Sequence, residues 1–125
     1  MTSTLESEYA WEPLGSDGVA TIRYKPGAMI TEEMARKTVG ELMVLTNGKR
    51  IALLADIRQQ KSITREARLF YGNATHAYAA LALLAGSPAT RLIANFFIGL
   101  SHPKVPTQIF TDEEKAVAWL RRYTD

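Results

Sequence analysis

The run Ile51-Ala52-Leu53-Leu54-Ala55-Asp56-Ile57 constrains this chain more than any other segment. It has the length of a strand, and its apolar side chains occupy consecutive positions instead of alternate ones. A strand with one wet face alternates, whereas a strand covered on both faces does not. The sheet containing it must carry packing elements on both sides, and helices are the usual cover. At 125 residues, with 46% hydrophobic and 22% charged side chains, the chain suits one such domain and not a disordered segment.

The flanking sequence supplies those helices. Tyr9-Ala10-Trp11 and Gly18 to Tyr24 read as a β-hairpin, with Pro13, Gly15, Ser16, Asp17 and Gly18 as turn residues. Thr31 reads as an N-cap with Glu32 and Glu33 in the first turn, and Asn47-Gly48 closes that helix. After the apolar strand a second helix opens near Ser62 or Thr64, with Ala67, Phe70, Tyr71 and Ala74 on its buried face. Tyr78 to Leu84 is rich in alanine, which favours helix. It reads as a strand because Gly86-Ser87-Pro88 follows too soon for a helix and its neighbours are helical. Ser87 as N-cap and Pro88 at the first position then open a third helix to about Leu100, apolar on most sides and expected to be the most buried. Thr107 to Phe110 forms a short strand, and Thr111-Asp112-Glu113-Glu114 a capping box with Thr111 as the cap. The order β-β-α-β-α-β-α-β-α implies a mainly parallel sheet of four to five strands with an antiparallel N-terminal hairpin.

Residues 1–7 are expected to be a loose tail and 8–125 one domain. The stretch Met1 to Trp11 has Glu6 and Glu8 and no apolar run, so it does not read as a signal peptide. Ala77 to Leu100 is broken by Gly86-Ser87-Pro88 and carries Arg91 and Asn95, so it reads as two elements and not a membrane span. The absence of cysteine excludes disulfides and thiolate metal sites, and fits a reducing, cytoplasmic setting. A net charge of +2 from 15 basic and 13 acidic residues gives no strongly basic face for nucleic acid. His76 and His102, the only histidines, sit in no nucleophile motif and at no metal-ligand spacing; His76 reads as the end of a helix. There is no Gly-rich phosphate loop. No cofactor, metal or catalytic residue is therefore expected.

The segment Arg58 to Arg68 draws attention instead. Arg58, Lys61, Arg65 and Arg68 against Glu66 give a local charge of +3 beside a helix start, where free N–H groups favour anions. Ligands of open α/β sheets sit beyond the carboxyl ends of the strands, and Asp56, the Ser62–Arg65 turn and the Ser87–Arg91 turn belong to that end. The competing account is a solvated helix face with ordinary caps. Asp56 has alternatives too: binding the next turn's N–H groups, pairing with Arg58 or Arg91, or acting in a site. Asn95, in an apolar helix, either satisfies a backbone group or lines a pocket.

At Leu54-Ala55-Asp56-Ile57-Arg58 the chain resembles the STAS (SpoIIAA-like) family of sulphate transporter domains and anti-sigma factor antagonists. It is more similar to small bacterial STAS/SEC14-like proteins of unassigned function. Asp56-Ile57-Arg58, Lys61 to Arg68, and Gly86-Ser87-Pro88 with Arg91, Asn95, Phe96 and Phe97 carry that likeness. It extends over roughly residues 18–123 as an order of elements. The resemblance implies a STAS-like fold and a regulatory role. In the antagonists a serine at the start of the helix after this strand is phosphorylated; the nearest position here is Ser62, then Thr64. The family's Asp-Ser-Ser-Gly motif is replaced by Lys61-Ser62-Ile63-Thr64.

The expectation is a non-catalytic regulatory or protein-interaction module whose surface comprises Asp56, Arg58, Lys61, Ser62, Thr64, Arg65, Ser87, Arg91 and Asn95. The alternative is a carrier or sensor of a small anionic or lipid-like ligand, resting on Arg91, Asn95 and the aromatic residues of the third helix. A homo-oligomer is also expected, because the first strand and Trp11 leave an apolar edge.

Overall fold

The computed structural model describes residues 8–15 and 17–124; the expected tail, residues 1–7, lies outside them. The strands are β1 (Tyr9–Trp11), β2 (Val19–Tyr24), β3 (Met29–Ile30), β4 (Ile51–Asp56), β5 (Ser62–Ile63), β6 (Tyr78–Leu84) and β7 (Thr107–Phe110). The helices are α1 (Glu32–Leu45), α2 (Arg65–Gly72), α3 (Pro88–Ser101) and α4 (Glu113–Leu120), the last running into a 3-10 turn, Arg121–Tyr123. Five strands form one sheet in the order β1-β2-β4-β6-β7. Only the β1–β2 pair is antiparallel; β2–β4, β4–β6 and β6–β7 are parallel. The expected α/β architecture, with its N-terminal hairpin, is the one observed.

The non-alternating sequence of β4 has the expected cause. Ala52 and Leu54 join one buried cluster with Ala116 and Leu120 of α4, while Leu53 and Ala55 join the other, beneath α1, α2 and α3. Strand β6 divides the same way, with Ala80, Ala82 and Leu84 facing α4 and Leu81 and Leu83 facing the three helices. Its alanines are strand residues because small side chains let α4 pack close, and tertiary packing overrides helix propensity. Thr31, Thr64 and Ser87 cap α1, α2 and α3, and Asn47 (φ 55°) and Gly48 (φ 80°) turn the chain out of α1.

Several local expectations are corrected. Helix α4 is capped by Asp112, whose carboxylate accepts from the Glu114 N–H at 2.9 Å, and not by Thr111. Helix α2 ends at Gly72, so His76 lies in the following turn. A second, two-stranded sheet pairs β3 with β5 in parallel, Met29 opposite Ser62 and Ile30 opposite Ile63, in strands too short to show a pattern. The largest correction concerns α3. It buries Thr90, Ala94 and Phe97, yet Leu92, Phe96 and Leu100 are 53%, 51% and 59% exposed. The helix packs between α2 and the edge strand β7, so only part of its apolar surface has a neighbour.

Candidate functional site

Asp56 ends β4 at the carboxyl edge of the sheet and is only 6% exposed. Its Oδ1 accepts from the Arg58 backbone N–H at 3.1 Å and from Arg58 Nε at 2.9 Å, and its Oδ2 from Arg58 Nη2 at 2.8 Å. Arg23 Nη1 donates to the same Oδ2 at 2.8 Å. Arg23 also holds Glu113, at the start of α4, through Nη1 at 3.0 Å and Nη2 at 2.8 Å, and Glu12 through Nε. Two of the expected alternatives for Asp56, turn organiser and partner of Arg58, are thus both realised, and Arg91 is not a partner. Burial pushes the Asp56 carboxyl up, but the Arg58 and Arg23 hydrogen bonds outweigh it and hold the group below its ordinary range. Glu113 is lowered chiefly by Arg23, and Arg23 is raised chiefly by Glu113 and Glu12. With both Asp56 carboxylate oxygens engaged twice over, the cluster ties the hairpin, β4 and α4 together.

This arrangement removes Arg58 from any free basic patch. Its stem crosses Gly86, where a Cβ would lie 3.3 Å from the Arg58 Cγ, so a residue without a side chain lets the loops meet. Arg23 and Glu113 escaped the sequence reading. One signal was available: Arg23 shares the face of β2 that Val19 gives to the α4 core, and a cation there needs partners.

The other expected surface residues divide by exposure. Lys61, Ser62 and Arg65 are exposed, and Ser62 lies on β5, two residues before the Thr64 cap. Thr64 Oγ1 is engaged by the Ala67 N–H at 3.1 Å, whereas the Ser62 hydroxyl has no hydrogen bond among the described residues. Ser87 exchanges hydrogen bonds with Thr90 in a capping box. Arg91 and Asn95 are both exposed on α3. Asn95, expected to satisfy a backbone group or line a pocket, lies exposed on the outward face with Leu92 and Phe96, and its side chain makes no hydrogen bond among the described residues. Both histidines sit at the opposite end of the sheet from Asp56, His76 before β6 and His102 before β7, so no Asp56–histidine pair forms.

Between the sheet and α1–α3 lies an apolar cavity of about 50 Å³. Its polar lining consists of Tyr24, Thr38, Gln60, Tyr71, Tyr78 and the indole of Trp11; no charged side chain and neither Arg91 nor Asn95 reaches it. Burial pushes the Tyr24, Tyr71 and Tyr78 phenols up, so they remain neutral. Trp11 Nε1 and the Tyr9 hydroxyl both donate to Glu41 Oε1 at 2.9 Å, clasping the edge strand β1 to α1. Among the described residues no group of three or more His, Cys, Asp or Glu is placed to hold a metal, and no helix is long and apolar enough to cross a membrane.

Comparison with solved structures places this architecture. An uncharacterized protein of the DUF3478 family with a SpoIIAA-like fold, from Shewanella loihica PV-4, is 16% identical with a TM-score of 0.64. The match covers 96% of this chain and 98% of that one. The anti-sigma factor antagonist SpoIIAA in its unphosphorylated form is 12% identical with a TM-score of 0.58, covering 90% and 97%. A protein with unknown function from Arthrobacter sp. FB24 is 32% identical over 89% of this chain and 97% of its own, with a TM-score of 0.36. At these identities the first two likenesses establish the fold, and the STAS-like resemblance read from the sequence agrees with them. No protein of curated description matches the chain. The family model described as Domain of unknown function (DUF7793) matches residues 14–124, and the chain belongs to that family.

Proposed function

We propose that this protein is a non-catalytic, STAS-like regulatory or protein-interaction module whose contact surface centres on the outward face of α3. The observation carrying this reading is the stripe Leu92, Phe96 and Leu100, exposed at successive helical turns with Arg91 and Asn95 beside it. Contiguous exposed apolar surface edged by polar groups is the usual mark of a protein contact. The likeness in fold to an anti-sigma factor antagonist supports a protein partner. The exposed turn Lys61, Ser62, Arg65 is a second part of the surface, and Ser62, with its free hydroxyl, is the residue open to phosphorylation there. Asp56, Arg58, Thr64 and Ser87 act by shaping the turns. The reading implies a cytoplasmic protein, and light scattering in solution reports whether copies also pair.

The alternative, a carrier of an anionic or lipid-like ligand, has less support. The cavity has no cation for an anion, and its volume is well below the ~300–1,000 Å³ of drug-sized pockets. Gentle purification of tagged wild type and of a Leu92→Asp/Phe96→Asp double variant from the native host tests the leading reading. A stoichiometric protein partner is expected with wild type and not with a variant of unchanged urea midpoint. A partner retained by the folded variant contradicts the surface assignment.

A further inference from the structure

The charges of this chain are unevenly divided. Of its 15 basic and 13 acidic residues, residues 57–111 hold six Lys or Arg and a single acid, Glu66. The cations of that span lie on α2, on α3 and in the turns at their ends. Arg58 is engaged by Asp56, whereas Lys61, Arg65, Arg68, Arg91 and Lys104 form no ion pair among the described residues.

Their placement frames the outward face of α3, because α2 and α3 pack against one another. On α2, Phe70 takes the Arg36 guanidinium of α1 over its ring, which marks the flank turned to α1. Glu66, one turn before Phe70, shares that flank. Arg65 and Arg68 stand about 140–160° around the helix from Phe70, on the flank turned to α3. Arg91 sits beside Leu92 at the start of the apolar stripe. Lys104 lies where the two helices end, its N–H donating to the Gly72 carbonyl at 3.0 Å. The one acid of the span thus turns away from the stripe that its cations border.

The stripe itself has the form of a helix-packing ridge. Leu92, Phe96 and Leu100 make an i±4 row, which fits the groove of a second helix. Gly99 leaves a notch beside the row, with nothing within 4 Å of where its Cβ would lie. Asn95 is exposed beside Leu92 and Phe96, and its amide makes no hydrogen bond among the described residues. A bilayer would bury that amide in hydrocarbon without a partner, whereas a protein surface can bond it. Two copies paired symmetrically through this face would set cations against cations.

We infer that the outward face of α3, with the adjoining flank of α2, receives an acidic amphipathic helix of another protein. Its apolar side chains pack along Leu92, Phe96 and Leu100, and its carboxylates meet Arg65, Arg68 and Arg91, whose planar forks suit them. This rests on the α3 contact surface proposed above and adds the chemistry of the partner.

Two labelled peptides of about 14 residues, the length of α3, provide the test. Both carry leucines at helical i, i+4 spacing; one has glutamate at the flanking positions and the other lysine. Fluorescence anisotropy and NMR amide shifts are expected to show the glutamate peptide binding saturably over α3 and α2, more weakly as salt rises. The lysine peptide is expected not to bind. Arg68→Glu/Arg91→Glu places acids near the starts of two helices, where the dipole favours them, so the fold is expected to keep its urea midpoint. That variant is expected to weaken the glutamate peptide at least about tenfold and to gain the lysine peptide. Equal binding of both peptides at α3 in wild type overturns the acidic partner and leaves the contact surface standing. Absence of saturable glutamate-peptide binding, or shifts confined to another face, overturns the acidic partner as well; the Leu92→Asp/Phe96→Asp capture then decides separately whether α3 is a contact surface. Binding of wild type to phosphatidylcholine–phosphatidylglycerol vesicles, with no peptide binding, assigns the face to a membrane and likewise overturns the inference.

Discussion

The two faces of the sheet are finished to different degrees. On the α4 face, Ala52, Ala80 and Ala82 admit a closely packed helix, and Arg23, Asp56, Arg58 and Glu113 satisfy one another at its N-terminal end. On the opposite face, three helices leave a cavity with a half-satisfied glutamine, and α3 turns Leu92, Phe96 and Leu100 outward. A face whose helix packs closely and whose buried carboxylate is fully engaged has less left with which to recognise anything. The contrast teaches that Asp56 and Arg58, the part of the expected site nearest the strand end, are held by partners within the chain. On the proposed reading, recognition falls to the less conspicuous face.

The comparison can be broken most forcefully at Arg23. Arg23→Ala strands the buried Asp56 carboxylate with one cation and frees Glu113. It is expected to cost about 2–4 kcal/mol in urea unfolding, the lower part reflecting the partial exposure of Arg23. A cost below about 1 kcal/mol would show that the cluster is ornamental. Packing gives the next effect. Ala82→Leu, beneath α4, is expected to lose about 1–3 kcal/mol by overpacking. Across the sheet, Tyr71→Phe breaks the chain from Tyr24 to Thr38 and is expected to cost about 1–2 kcal/mol.

Acid sharpens the same contrast. Asp56 and Glu113 are both held below their ordinary values, so their contribution to stability is complete above about pH 5, where the unfolded carboxyls are ionised. It is lost as pH falls through the depressed folded values. Urea midpoints between pH 3 and 7 should show this loss in wild type and less of it in Arg23→Ala. Equal slopes would mean that other carboxylates dominate. The smallest effect belongs to the open face: Leu92→Asp is expected to change folding stability by less than about 0.5 kcal/mol, because no neighbour covers it.

The fold was legible because its signals are local and redundant. The doubly covered strand at Ile51, the Thr31, Thr64 and Ser87 caps and the Asn47-Gly48 stop each point to an element, and they agree. The site was legible only in part. Asp56 and Arg58 stand two residues apart and their pairing could be foreseen, but Arg23 meets Asp56 from 33 residues away and Glu113 meets Arg58 from 55, which only the topology brings about. The burial of α3 was misjudged because an apolar helix looks the same whether its cover comes from its own chain or from another molecule. Gln60 was overlooked because it lies in a polar loop, and the β3–β5 pairing that encloses this loop leaves no pattern in two-residue strands.

The most direct test of this division places a photo-crosslinking residue at Phe96, on the open face, or at Trp119, on α4, in living cells. The account predicts a discrete cross-linked protein species from position 96 and none from position 119. A specific product from position 119 with nothing from position 96 would contradict it, and the interacting face would then be the α4 side.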